Sequence, residues 1–343
     1  MKLRAARVLF VMGLLLIAPA GCSRSSPEEM TVVRVVMVPY LGMAPLVIAE
    51  QEGFFRDQWL QIEQVTLRRS GEAVAALARG QVDVVAGAVN LVLLNAIEKG
   101  ANIRIVADKG HYTDSSCVVS ALLVHRESLR DGTLQSLASL RGKKVDLREN
   151  SILSYAYDSL LRREHLGLGD VEMVSLPRGG QLAALENRAV AALSAADPWL
   201  TQFKDAGPVV VWHSINEAVE RLQYSVITYG PSFLGESTDT GYRFMTAYLM
   251  GVRQYNQGKT ERNLAILAKE TGLSKSVLSR CCWPDINPEG TIILDGLHEF
   301  QEWAVNRGEL AQVIPIEQIW EPRFAKAAAK TLSSVPPRQA NND

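Results

Sequence analysis

Short runs of β-branched and aliphatic residues recur along the chain. Polar turns separate them, as do stretches in which apolar residues return every three or four positions. The runs predict strands at 32–38, 62–67, 82–86, 103–107, 118–124, 144–147, 171–176, 190–194, 209–212 and 223–228. Between them the three- and four-residue spacing predicts helices at 45–52, 71–79, 91–99, 151–164 and 181–187. Strand–helix alternation of this kind builds mainly parallel, doubly wound sheets. Beyond Pro231 the pattern changes to consecutive helices at 242–256, 260–271, 275–281, 291–306 and 316–332, with Ser274 and Pro315 as start signals.

The strand–helix part repeats itself at an offset of 108. Ala75-Ala76-Leu77-Ala78-Arg79-Gly80-Gln81-Val82 lies over Ala183-Ala184-Leu185-Glu186-Asn187-Arg188-Ala189-Val190, and Gly71 falls on Gly179. Strand, turn and helix stay in step over the repeat, so the chain reads as two α/β lobes. Ligands of open parallel sheets sit beyond the carboxyl ends of the strands, where helix amino ends point inward. In the first lobe those ends are Tyr40, Leu41 and Gly42, then Ser70 and Gly71, then Ala88, Val89 and Asn90. In the second they are Ser151 and Ile152, and Asp197 beside Pro198. His111 follows the fourth strand, and Tyr224 with Ser225 opens the last one. Ser70, Asn90 and Ser151 are candidate N-caps. Arg69, Arg148 and Arg178 could offer a fork to an anion, whereas Asp197 would favour a ligand carrying N–H donors.

At the amino end, Lys2, Arg4 and Arg7 precede an unbroken apolar run at 8–18, then Pro19-Ala20-Gly21-Cys22. That is the plan of a secretory signal peptide. The Ala20-Gly21-Cys22 ending resembles the bacterial lipobox, which implies lipidation at Cys22, although Pro19 stands where Leu is usual. The expected organisation is therefore a signal peptide at 1–21 and a lipidated tether at 22–31. A first lobe follows at 32–115 and 225–332, carrying the C-terminal helices, with a second lobe at 116–224 and a disordered tail at 333–343. Charge is balanced, with 36 Lys+Arg against 37 Asp+Glu, which gives no reason to expect nucleic acid. Four cysteines without metal-ligand spacing argue against a zinc scaffold, and no metal or cofactor is expected. Of the three cysteines left after export, Cys281 and Cys282 are adjacent and rarely bond each other without strain. Whether Cys117 pairs with either stays open.

Several segments carry a resemblance. They are Ile48-Ala49-Glu50-Gln51-Glu52-Gly53-Phe54-Phe55, then Ala76-Leu77-Ala78-Arg79-Gly80-Gln81-Val82-Asp83-Val84, Leu140-Arg141-Gly142-Lys143-Lys144-Val145 and Asp197-Pro198-Trp199. Together they resemble the substrate-binding proteins of the nitrate/sulfonate/taurine and thiamine-precursor ABC importers over most of the chain. The second-lobe counterpart of the Asp83 motif, Arg188-Ala189-Val190-Ala191, lacks the usual Gly and Asp. The resemblance implies an α/β, type II periplasmic-binding-protein fold with a helical C-terminal extension. It also implies a non-catalytic lipoprotein held at a membrane, facing the periplasm or cell exterior. Such a protein would pass a sulfonate, a nitrate-like anion or a pyrimidine-type heterocycle to a permease driven by a cytoplasmic ATPase. Two other roles fit the same fold: a ligand sensor for a membrane signalling partner, and an enzyme related to the pyrimidine synthase. The latter family's cysteine cluster is missing from this sequence.

Overall fold

The computed structural model describes residues 30–37, 41–67, 69–113 and 117–334. Cys22, the expected signal peptide, most of the tether and nearly all of the tail lie outside the described residues, as does Tyr40.

Each expected strand is present. In chain order they are β1 (Thr31–Met37), β2 (Leu60–Val65), β3 (Val84–Ala88), β4 (Arg104–Tyr112), β5 (Ser120–His125), β6 (Lys144–Asp146), β7 (Glu172–Val174), β8 (Ala192–Ala196), β9 (Val209–Ser214) and β10 (Leu222–Tyr229). They form two five-stranded sheets, ordered β2-β1-β3-β10-β4 and β7-β6-β8-β5-β9. In the first, β1 runs parallel to β2 and β3, while β10 is antiparallel to both β3 and β4. In the second, β6 runs parallel to β7 and β8, and β5 is antiparallel to β8 and β9. Four strands of each sheet thus share one direction. The reversed one, β5 or β10, is the first strand after each crossing of the chain. It starts at the shared edge of the sheets and must run away from it. This is the α/β fold of the type II periplasmic binding proteins, with two mixed sheets flanked by helices and a helical C-terminal region.

Two differences from the sequence reading have clear causes. The last expected helix is broken into Ile316–Ile319 and Arg323–Ser333. Pro322 has no N–H to continue the ladder, and the Glu321 N–H is drawn to the Ile105 carbonyl at 2.9 Å. β4 runs five residues past its expected end at 107, through Asp108 and Lys109. A buried acid in a strand demands donors, and Asp108 has four. Gly110 N–H and Gln223 Nε2 donate to Oδ1, each at 2.7 Å. His111 Nδ1 and Asn287 N–H meet Oδ2 at 2.6 and 2.7 Å.

The core behind the first sheet joins Leu46, Phe55, Phe244, Tyr248 and Phe324. There Gly251 of the helix Thr238–Tyr255 lets Pro45 approach so closely that a Cβ would stand 2.2 Å from the Pro45 carbonyl oxygen. A second cluster is continuous between the lobes, from Leu77 and Leu94 through Leu297 and Phe300 to Leu160 and Leu161. The C-terminal helix Asp295–Asn306 sits at this seam. Its Trp303 Nε1 donates to Asp158 at 2.9 Å, and Tyr155 donates to its Glu299 at 2.7 Å.

Candidate ligand-binding cavity

A cavity of about 250 Å³ lies between the two sheets, walled by residues of both lobes and by Cys282 and Pro284. Of the residues expected there from sequence, Leu41, Gly42, Ser70, Ala88, Asn90, Ser151, Ile152, Asp197, Tyr224 and Ser225 line it. Gly71, Val89 and His111 are not part of the wall. Val89 is wholly buried, and the His111 ring is turned to Asp108. Burial lowers the His111 pKa, but the hydrogen bond and charge of Asp108 outweigh it and leave it raised.

The helix starts do something other than expected. Asn90 and Ser151 do cap their helices, accepting from Leu93 N–H at 2.9 Å and Ser154 N–H at 3.2 Å. The first free N–H groups do not point at a ligand, however. Leu91 N–H donates to the Asn150 carbonyl at 3.0 Å, and Ile152 N–H donates to the Val89 carbonyl at 3.2 Å. One lobe is thereby stitched to the other. Ser70 is the first residue of its helix and makes no cap bond, the N-cap position being Arg69.

Asp197 also has a different occupation. It is 7% exposed; Oδ1 accepts from Thr201 N–H at 2.9 Å, and Oδ2 accepts from Cys282 N–H. Both oxygens are therefore engaged by backbone donors. The Asp197–Pro198 peptide is cis. Cys282 is held in place by a disulfide to Cys117, in the first crossing, and Cys281 remains a buried thiol.

The residue that sequence reading passed over is Lys109. It lines the cavity and is 4% exposed. Burial pushes its ammonium down to about 8 against the pull of Asp108. The signal lay in the Asp108-Lys109-Gly110 triplet directly after an apolar run, where a charged pair interrupts a strand pattern without a turn residue before it. Arg69, Arg148 and Arg178 line the cavity too, and the Arg178 guanidinium lies 3.8 Å over the Trp199 ring. Among the described residues no group of acids, histidines and cysteines is arranged to hold a metal ion. No helix among them is long and apolar enough to cross a membrane.

A family model described as NMT1/THI5 like matches residues 41–257. The chain belongs to the NMT1/THI5-like family. The NMT1/THI5-like fold recurs in solved structures at low identity. The alkanesulfonate-binding protein SsuA of Xanthomonas axonopodis pv. citri, bound to MOPS, superposes with a TM-score of 0.69 at 16% identity, covering 86% of this chain and 99% of that one. The periplasmic nitrate-binding protein NrtA of Synechocystis PCC 6803 gives a TM-score of 0.69 at 13% identity over 90% of each chain. The desulfurization enzyme DSZB shares the fold with a TM-score of 0.61 at 13% identity, over 88% of this chain and 99% of that one. No curated protein matches the sequence.

Proposed function

We propose that this protein is an extracytoplasmic, lipid-anchored binding protein. It captures a small organic solute between its lobes and delivers it to an ABC permease driven by a cytoplasmic ATPase. The observation that carries this reading is the cavity walled from both lobes, with β4 paired to β10 in one sheet and β5 to β9 in the other, so that the strands flanking the two passages between the lobes are neighbours. Such a layout suits capture by hinge closure. SsuA and NrtA, whose structures share the fold, are binding proteins, which supports the same role here.

An enzymatic role on the DSZB pattern finds less support. The cavity wall has one cysteine among the described residues, Cys282, and it is oxidised in the disulfide. Burial pushes the neighbouring Cys281 thiol up to about 11, far from a thiolate nucleophile at neutral pH. The reading is tested by mass spectrometry of the solute released when gently purified protein is denatured. A single small molecule at near-stoichiometric yield, whose re-addition reduces the radius of gyration in solution scattering, is the expected result. A saturating solute that leaves the radius unchanged and is chemically converted on incubation would overturn it.

A further inference from the structure

The charged groups of the cavity wall do not balance. Among the described residues, Lys109, Arg69, Arg148 and Arg178 line it against two acids, Asp146 and Asp197. Both acids already serve protein donors. Asp197 takes the Thr201 and Cys282 N–H groups, and Asp146 takes Leu176 N–H at 3.1 Å and Gln181 Nε2 at 2.6 Å. The acid next to Lys109 in sequence, Asp108, is shared among its four donors. Lys109 Nζ itself makes no hydrogen bond or ion pair with any described residue. An ammonium largely withdrawn from water without a partner is unfavourable, so its place in a cavity wall asks for a counter-charge from outside the protein.

Gly42 fits this reading. A Cβ there would sit 3.3 Å from Lys109 Nζ and 3.3 Å from the Lys109 carbonyl oxygen, so the glycine leaves the ammonium room and access. The rest of the wall is of another kind. Leu67, Val74, Leu77, Leu93, Val119 and Ile152 surround the space with aliphatic carbon. An inorganic anion of three or four heavy atoms would leave most of that surface wet, forgoing about 25 cal/mol for each Å² of apolar area that an organic body would cover.

Resting on the solute-binding reading above, we propose that the cavity takes an organic anion with an apolar body. Its head group pairs with Lys109 and its body lies against the aliphatic wall. The test is calorimetric titration of ligand-stripped protein, lacking its lipid, at pH 7 with four probes: octanesulfonate, octanoate, octylamine and sodium nitrate. At least one octyl anion should bind ten-fold or more tightly than nitrate, and octylamine should bind no better than nitrate. Lys109→Met and Lys109→Gln should each weaken the octyl anion about 10- to 100-fold, as expected for a lost charged hydrogen bond. Circular dichroism would establish that both variants are folded. Octylamine binding as tightly as the octyl anions, nitrate matching them, or unchanged anion affinity in both folded variants overturns the assignment. Mass spectrometry of the co-purified solute separates the two levels. A neutral or cationic solute refutes the anion and leaves the binding-protein reading standing. A protein that carries no solute and answers to none of the probes refutes both.

Discussion

Replacing Asp197 with Ala tests whether this carboxylate serves the protein or the solute. In the structure it is buried, and its two oxygens accept from Thr201 N–H and Cys282 N–H. Truncation leaves both donors buried with no acceptor, at about 1–3 kcal/mol each. The sum, roughly 2–6 kcal/mol, is a large share of the ~5–15 kcal/mol by which a domain is stable. At about 2–4 °C per kcal/mol for chains of this order of size, the melting temperature should fall by roughly 4–24 °C. Asp197→Asn keeps one acceptor oxygen but presents an NH₂ group to the second donor, so it should fall between Ala and wild type. The assay is calorimetric melting under oxidising conditions, which keep the Cys117–Cys282 link intact, with urea unfolding as a second measure. An Asp197→Ala protein that melts within about 1 °C of wild type but has lost its solute would refute the reasoning. The carboxylate would then be a ligand acceptor, as the sequence alone suggested.

Other outcomes follow from the same structure. Lys109 has a folded pKa of about 8, below its ordinary 10.5, so the unfolded chain binds more protons between those values and ligand-free stability rises with pH across that window. Lys109→Met should accordingly be more stable than wild type at pH 7, by something on the order of 3 kcal/mol, with the gain gone by about pH 10.5; equal urea midpoints at pH 7 would refute this. Trp303→Phe removes the indole donor to Asp158 while keeping a ring beside Phe300, and should cost about 1–3 kcal/mol and enlarge the ligand-free radius of gyration; an unchanged radius and midpoint would show that the contact holds nothing. Cys22→Ser should leave a folded, solute-competent protein in the soluble fraction, because only acyl chains would hold the wild type at a membrane; continued sedimentation with membranes would contradict the anchor.

Periodicity made every strand and the longer helices legible, because each strand is a short apolar run and each longer helix repeats at three or four residues, whereas the short helices at Phe54–Asp57, Arg126–Arg130, Trp199–Asp205 and Pro231–Leu234 are too brief to show a period. It failed where a tertiary partner overruled a local signal. Asp108 and Lys109 looked like the end of a strand, yet Gln223, Asn287 and His111 supply the donors that let β4 continue. Those donors come from sequence positions far away or beyond the turn, and nothing local announces them. The break at Pro322 was visible in the sequence but was outweighed by the apolar pattern on both sides. The disulfide partner was not legible. Cys281 and Cys282 differ by one position, and only the path of the chain after the helix Lys275–Arg280 turns one toward Cys117 and the other inward.

The cavity wall was legible as a place, but the protein partners of its polar groups were not, for a single physical reason. Helix amino ends and an acid after a strand are polar groups that need partners, and in a two-lobed protein those partners can be solute or the opposite lobe. Here the opposite lobe and the C-terminal segment supply them. Leu91 and Ile152 N–H bond across the seam, Asp197 holds Cys282, and Asp158 holds Trp303. In the arrangement seen here these groups are therefore already engaged by protein partners. What is left without a hydrogen-bond or ion-pair partner among the described residues is a different set: the Lys109 ammonium and the cavity-lining Tyr224 with its buried hydroxyl, beside a broad aliphatic wall. A solute selected by those leftovers must bring negative charge and carbon together, so its affinity should depend on one lysine far more than on the caps and acid that sequence reasoning places first.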